Sequence, residues 1–298
     1  MIYTDTDHEP EKSAGMLYLC ATPIGNLSDI TDRVKETLKN ADIIAAEDTR
    51  NTLKLLNHLG IKAQLVSYHE HNKYDRAAEL ADKMEKGLDV ALVTDAGTPG
   101  ISDPGEVITK MCYDRGIRVT SLPGPCALVT ALSLSGLPAR RFVFEGFLPG
   151  DRKERHRVLE DLRSEIRTIV IYESPHHLKK TLSELLEVLG DRETAICREL
   201  TKKFESVERV RLSEADEYYK DHDPRGEYVL IIKGLSREQL EKEKAADFLD
   251  MGINEHMAVY EDQGIDHKEA MKMVAKDRGI SRREVYQMLL DETNDKRS

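Results

Sequence analysis

The chain has 298 residues, a formal net charge of −11, and 40 % hydrophobic against 33 % charged side chains. That length predicts about two domains, each large enough for its own core, and the balance describes a soluble globular protein with a heavily charged surface. No apolar run approaches the roughly 18 residues of a membrane span, and the acidity excludes a nucleic-acid binder that relies on bulk charge, leaving only local basic patches for that work.

Residues 1–15, MIYTDTDHEPEKSAG, are acidic and polar. They match neither a signal nor a transit peptide and read as a frayed extension. Cys20, Cys112, Cys126 and Cys197 are far apart and form no CxxC pair, so neither a zinc site nor a disulfide framework is indicated. They read as small buried hydrophobes in a reducing, cytoplasmic compartment.

Met16–Thr22 is a first buried strand, closed by Pro23-Ile24-Gly25-Asn26, and Ser28 or Thr31 can cap the helix through Arg33–Asn40. Strand Asp42–Ala46 ends at Glu47-Asp48-Thr49-Arg50. A helix bearing Leu53, Leu56 and Leu59 comes next and stops at Gly60. Strand Leu65–Tyr68 ends in His69-Glu70-His71-Asn72, and helix Asp75–Lys86 stops at Gly87. Asp89–Asp95 is an almost continuous apolar run without helical period, which predicts a strand buried on both faces.

That strand runs into Ala96-Gly97-Thr98-Pro99-Gly100-Ile101-Ser102-Asp103-Pro104-Gly105. Its glycines and prolines rule out a regular element, and Ser102 or Asp103 can cap the next helix. The loop is neither a Walker loop nor a GxGxxG fingerprint, so it supports no phosphate or dinucleotide claim. Helix Glu106–Arg115, strand Arg118–Leu122, the turn Pro123-Gly124-Pro125 and helix Cys126–Leu134 complete a first α/β domain over 16–135. Its alternation predicts a parallel sheet with right-handed crossovers. The strand-end segments all fall on that sheet's carboxyl edge, where open α/β sheets hold ligands.

Ser135–Ala139 reads as a linker into a second α/β domain over 136–235. Strand Phe142–Phe147, helix Glu154–Ile166, strand Thr168–Tyr172 and helix Leu178–Leu189 come first. Thr194–Cys197, Ser206–Leu212 and Tyr228–Ile232 then read as strands with few helices between them, which predicts hairpins and a mixed sheet. Residues 236–298 read as a helical, helix–turn–helix-like tail. Its Ser281-Arg282-Arg283-Glu284 resembles a capping box. Lys268, Lys272 and Lys276 form one basic face, but the segment is acidic overall, favouring a solvated face over a nucleic-acid reader.

Several segments together resemble one family. They are Ala21-Thr22-Pro23-Ile24-Gly25-Asn26-Leu27, Glu47-Asp48-Thr49-Arg50, Tyr68-His69-Glu70-His71-Asn72, the Asp95–Gly105 loop and Leu122-Pro123-Gly124-Pro125, then Gly146-Phe147-Leu148-Pro149, Tyr172-Glu173-Ser174-Pro175-His176 and Arg198-Glu199-Leu200-Thr201-Lys202. The chain is similar, over about residues 16–235, to the small-subunit ribosomal RNA 2′-O-ribose methyltransferases that modify a decoding-centre cytidine of 16S rRNA, within the tetrapyrrole-methylase fold group. The resemblance implies S-adenosylmethionine in the cleft between two α/β domains, a homodimer, and the small ribosomal subunit as partner. It places Asp95, Ala96, Gly97, Thr98, Ile101, Ser102, Pro125, Cys126, Tyr172, Glu173, Gly226, Glu227 and Tyr228 at the cofactor, and Pro23 on the substrate side. The rival readings are a tetrapyrrole or diphthine methylase of the same fold, or a non-catalytic ribosome-assembly factor.

Methyl transfer from a sulfonium needs alignment more than acid–base power. A ribose hydroxyl is a poor nucleophile at neutral pH, however, and calls for a proton acceptor nearby. Glu47, Glu70 and Lys202 are the candidates, the lysine only if neutral; Glu47 and Glu70 serve equally well as orienters of Arg50 and the loops. For RNA phosphates, Arg50 and the cationic segment with Arg140, Arg141, Arg152, Lys153, Arg155 and Arg157 are the candidates, against the reading of a solvated helix face. His69 and His71 alone make a weak case for metal, and none is expected.

Overall fold

The computed structural model describes residues 14–241, 248 and 251–295. The expected frayed extension lies almost wholly outside the described residues. The described residues up to Arg163, with Arg167–Lys233, form one compact unit; Ser164–Ile166 with the described residues from Gly234 onward form another.

The first unit holds two five-stranded sheets. β1 (Met16–Cys20), β2 (Ile43–Ala46), β3 (Gln64–Ser67), β4 (Val90–Val93) and β5 (Arg118–Leu122) pair in the order β3-β2-β4-β1-β5, every pair parallel. β2 and β4 are buried at every position, as strands covered on both faces must be. Alternation along β2 sends Ile43 and Ala45 into one core, with Leu80 and Ile108, and Ile44 and Ala46 into the opposite one, with Val34 and Leu56. The covering helices are α1 (Asp32–Asn40), α2 (Thr49–Leu59), α3 (Lys73–Glu85) and α4 (Gly105–Asp114). The Thr31 hydroxyl caps α1 by accepting from Val34 N at 3.3 Å, and α2 stops where Gly60 turns left-handed at φ 68°.

α5 (Ala127–Ser135) was expected to close the first domain. Its buried Leu128, Ala131 and Leu132 pack instead with Val170, Ala195, Cys197, Val229 and Ile231 of the second sheet. The segment ALVTALSLS has no charged face, and its outward side leaves Val129 and Leu134 exposed. α5 thus joins the two sheets.

The second sheet runs β6-β7-β10-β8-β9, from β6 (Phe142–Phe147), β7 (Thr168–Glu173), β8 (Glu193–Arg198), β9 (Ser206–Arg211) and β10 (Tyr228–Ile232). Only β6 and β7 pair in parallel, so the sheet is mixed, as expected. α6 (Arg152–Arg163) and α7 (Leu178–Leu189) supply Leu159, Leu162, Leu182 and Leu185 to its core. Only β8 and β9 form a hairpin. A helix that sequence reading passed over, α8 (Leu212–Asp221), carries the chain from β9 to β10. Its Leu212, Ala215 and Tyr219 are buried at helical spacing, and Arg211 N donates to Glu214 Oε2 at 2.7 Å.

In the second unit α9 (Ile253–Glu261), α10 (His267–Arg278) and α11 (Arg282–Asp295) enclose Ile253, Met257, Ala270, Val274 and Val285. The predicted capping box is formed: Ser281 N donates to Glu284 Oε2 at 2.7 Å and Glu284 N to Ser281 Oγ at 3.3 Å. Lys268, Lys272 and Lys276 are all exposed. Among the described residues no helix is long and apolar enough to cross a membrane.

Candidate active site

At the carboxyl edge of the parallel sheet lies a cavity of about 480 Å³, walled by both sheets of the first unit. The 95–105 loop forms one wall and is braced from four sides. Thr22 and Gly97 exchange backbone hydrogen bonds of 2.9 and 3.0 Å, tying the loop to the end of β1. Thr98 Oγ1 donates to Pro125 O at 3.0 Å. The buried Tyr68 hydroxyl donates to Pro104 O at 2.7 Å and accepts from Ile108 N at 3.2 Å. Ser102 or Asp103 was expected to cap α4; the Asp103 carboxylate accepts from Gly105 N, the first residue of α4, and also folds back to accept from Gly100 N and Ile101 N, at 2.8–3.0 Å. Ser102 sits at φ 66°, strained for a residue with a Cβ.

From the same edge, Asp95 accepts from Asp48 N at 3.2 Å and Asn51 Nδ2 at 3.1 Å, so the 47–51 segment holds the loop's first carboxylate. Arg50 pairs with this motif: its guanidinium holds Asp48 at 2.7 and 3.1 Å while its side chain stays exposed, and those bonds hold the Asp48 carboxyl down at about 2. Glu47 lines the cavity. Desolvation first, then the neighbouring Asp95 charge, raise its pKa above the ordinary carboxylate value, though the side chain reaches solvent.

The facing wall comes from the second sheet. Tyr172 OH accepts from Leu128 N at 2.9 Å, burial pushes its phenol up to about 12, and Phe144 and Phe147 stand edge-on to its ring at 4.9 and 5.7 Å. Glu173 is buried, accepting from Ser174 N at 2.7 Å and from Thr181 Oγ1. Thr181 in turn accepts from Arg155 Nη2 at 2.6 Å, and Arg155 Nε pairs with Glu184 at 2.6 Å. Arg155, expected at RNA phosphates, is therefore a buried cation fixing the cavity's acidic wall; Arg152, Lys153 and Arg157 on the same helix are exposed. The helical period, read without its inward face, hid that difference.

Of the expected cofactor residues, Asp95, Ala96, Gly97, Thr98, Ile101, Ser102, Cys126, Tyr172, Glu173, Glu227 and Tyr228 all line the cavity. Pro125 is behind it, holding Thr98, and lines a neighbouring depression that shares Ile24 and Cys126 with the cavity. Gly226 is also one layer back. At φ 83° it leaves room for the Glu199 side chain, which a Cβ would meet at 2.4 Å. Pro23 stands beside Ile24, outside the lining. Sequence reading missed Ile24, Asp103, Phe147, Ser174, Pro175 and Leu200, which stand in the quoted motifs, and Thr94, Ala127 and Val229, which carry no local signal.

Two candidate bases lie elsewhere. Glu70 points to solvent and pairs with Lys73 at 2.5 Å. Lys202 pairs with Glu199 and Glu227, each at 2.8 Å. Burial lowers its pKa, but those bonds outweigh burial and raise it, so it remains an ammonium and does not accept a proton.

The cavity lining carries five acidic residues (Glu47, Asp95, Asp103, Glu173 and Glu227) and no Lys, Arg or His. It is built for a ligand with positive charge and apolar surface rather than for a phosphate.

A family model described as tetrapyrrole (corrin/porphyrin) methylases matches residues 16–216. A ribosomal RNA small subunit methyltransferase I of Halalkalibacterium halodurans is 46 % identical over 95 % of this chain and 97 % of its own length. Proteins of the same name from Bacillus subtilis and Escherichia coli O157:H7 are 46 % and 41 % identical over 91 % and 95 % of this chain, and 93 % and 97 % of theirs. Among solved structures, a diphthine synthase superposes with a TM-score of 0.61 at 16 % identity, covering 77 % of this chain and 94 % of that one. The uroporphyrin-III-C-methyltransferase of Thermus thermophilus gives 0.53 at 21 %, covering 74 % and 94 %, which speaks to the fold alone. The chain belongs to the tetrapyrrole methylases and, within them, to the ribosomal RNA small subunit methyltransferase I family.

Proposed function

We propose that the chain transfers the methyl group of S-adenosylmethionine to a ribose 2′-hydroxyl of small-subunit ribosomal RNA, a cytidine of the decoding region of 16S rRNA, and does so in the cytoplasm as a homodimer. The observation that carries this reading is the cavity: acidic, free of cationic side chains and half apolar in its walls, at the carboxyl edge of a parallel sheet. The names of the relatives supply the substrate class.

Bound there, the donor would supply an electrophilic methyl on a sulfonium. Backbone of the 95–102 loop, braced by Asp103, Thr98 and Tyr68, would hold it in line, which is where most of the rate of such a displacement originates. Ile24, Leu200 and Phe147 would give the donor apolar contacts. Glu47 is the proton acceptor for the ribose hydroxyl, its raised pKa making the ionised form a stronger base. Glu70 and Lys202 orient segments rather than take protons.

The test is transfer of labelled methyl to small ribosomal subunits from cells lacking the modification, with the product mapped for 2′-O-methylation and uroporphyrinogen as the competing acceptor. Label at a cytidine 2′-oxygen supports the proposal. Label only on uroporphyrinogen, or donor binding without transfer to any subunit preparation, overturns it.

A further inference from the structure

The β8–β9 hairpin tip, Glu199 to Glu205, has features that cofactor binding does not use. Phe204 is 64 % exposed on it. The Lys203 ammonium stands over the Phe204 ring, 5.6 Å from its centroid, and has no ion pair among the described residues. An apolar ring left in water on a mobile tip would mean little, but this tip is tightly fixed. Glu199 at φ 49° and Thr201 at φ 65° occupy left-handed backbone although neither is glycine. Lys202 is clamped by Glu199 and Glu227, and Thr201 N donates to Glu205 Oε2 at 2.5 Å. Lys202 N to Glu199 O at 3.0 Å and Glu205 N to Lys202 O at 3.1 Å close the turn.

The tip is also registered to the cavity. Leu200 lines it, and the Gly25 turn approaches so closely that a Cβ there would lie 2.3 Å from Lys202 Cγ. A fixed aromatic face flanked by an uncommitted cation, beside a group-transfer cavity, is what an unpaired nucleobase and its phosphate require. An unpaired base in single-stranded RNA has lost stacking partners, and a protein ring that replaces them favours its binding.

We propose that the β8–β9 tip is a stacking platform on which Phe204 receives an unpaired base of the RNA substrate while Lys203 meets the adjoining phosphate. The inference depends on the RNA reading above.

Its test compares Phe204→Ala, Phe204→Tyr and Lys203→Ala with the unaltered chain on small subunits at saturating donor, with donor affinity by calorimetry and particle mass by light scattering. Phe204→Ala is expected to raise KM for subunits about tenfold, with kcat, donor affinity and mass unchanged. Phe204→Tyr should restore KM, and Lys203→Ala should reduce the salt dependence of subunit binding by about one unit of slope. A KM within twofold for Phe204→Ala, or no rescue by tyrosine, overturns the platform while leaving the methyl-transfer reading intact. A change of particle mass would overturn it too, assigning the ring to a contact between copies of this chain. An unaltered chain that methylates no subunit fails the functional reading itself, and this inference with it.

Discussion

At the scale of single residues, the site divides into groups that touch the cavity and groups that hold those in place. Glu47 is of the first kind. Glu47→Gln keeps its size and removes the acceptor, so kcat should fall by about a hundredfold or more with donor affinity within a few-fold. Because the Glu47 pKa is raised, the acid limb of the rate profile should be displaced upward from the ordinary carboxylate value and vanish in the variant. Thr181 is of the second kind, passing a hydrogen bond from Arg155 to Glu173. Thr181→Val leaves both buried partners short of one bond, for a loss of about 1–3 kcal/mol in denaturant midpoint experiments and weaker donor binding. A wild-type affinity in a destabilised Thr181→Val chain would show that Glu173 needs no such support.

At the scale of elements, the tail's helix pair carries a buried titratable group. His256 is fully buried against Phe248 at 4.0 Å, and its Nδ1 accepts from Arg278 Nε at 3.0 Å, while Asp277 lies 3.4 Å from its Nε2. Desolvation first, then Arg278, lower its pKa against the pull of Asp277. The unfolded chain therefore binds the proton more readily than the folded one. This contribution to stability is complete above about pH 6.5 and is lost as pH falls towards the depressed folded value. Hydrogen exchange of the α9 and α10 amides should accelerate below that pH, and His256→Phe should flatten the dependence.

Elements were also the level at which the sequence was most and least legible. The central strands β2 and β4 announced themselves because both faces are buried, so IIAA and VALV contain nothing polar, whereas the edge strands β3 and β5 are only partly covered and carry polar residues. The 95–105 loop was legible because glycine and proline mark it. α8 was not: its apolar positions are only Leu212, Ala215 and Tyr219, and a strand-like run overlaps its start. Arg155 and Lys202 show the limit for side chains. Charge is visible in a sequence, but the carboxylate that neutralises Arg155 is 29 residues away, and of the two that hold Lys202 one is 3 residues away and the other 25.

At the scale of the molecule, a chain of net charge −11 must meet RNA through what local cations it exposes. Arg155 is buried, whereas Arg140, Arg141, Arg152, Lys153 and Arg157 are exposed, as is Arg50 despite its pair with Asp48; Arg152, Lys153 and Arg157 share α6. Replacing Arg152 and Arg157 with alanine should weaken subunit binding across sequences and reduce its salt slope by roughly one to two. An unchanged slope would remove α6 from the interface.

The cavity's five carboxylates have a consequence for the resting protein. Glu227 is paired with Lys202 and Asp103 is satisfied by backbone N–H groups, but the lining itself holds no cationic side chain, so added monovalent cations compete with a positively charged donor for the acidic wall. Affinity for a positively charged donor should therefore weaken as monovalent salt is added, whereas an analogue with a neutral thioether should be less sensitive by the one charge it lacks. Once the methyl has left, the product lacks the sulfonium charge and with it that attraction, which favours its departure.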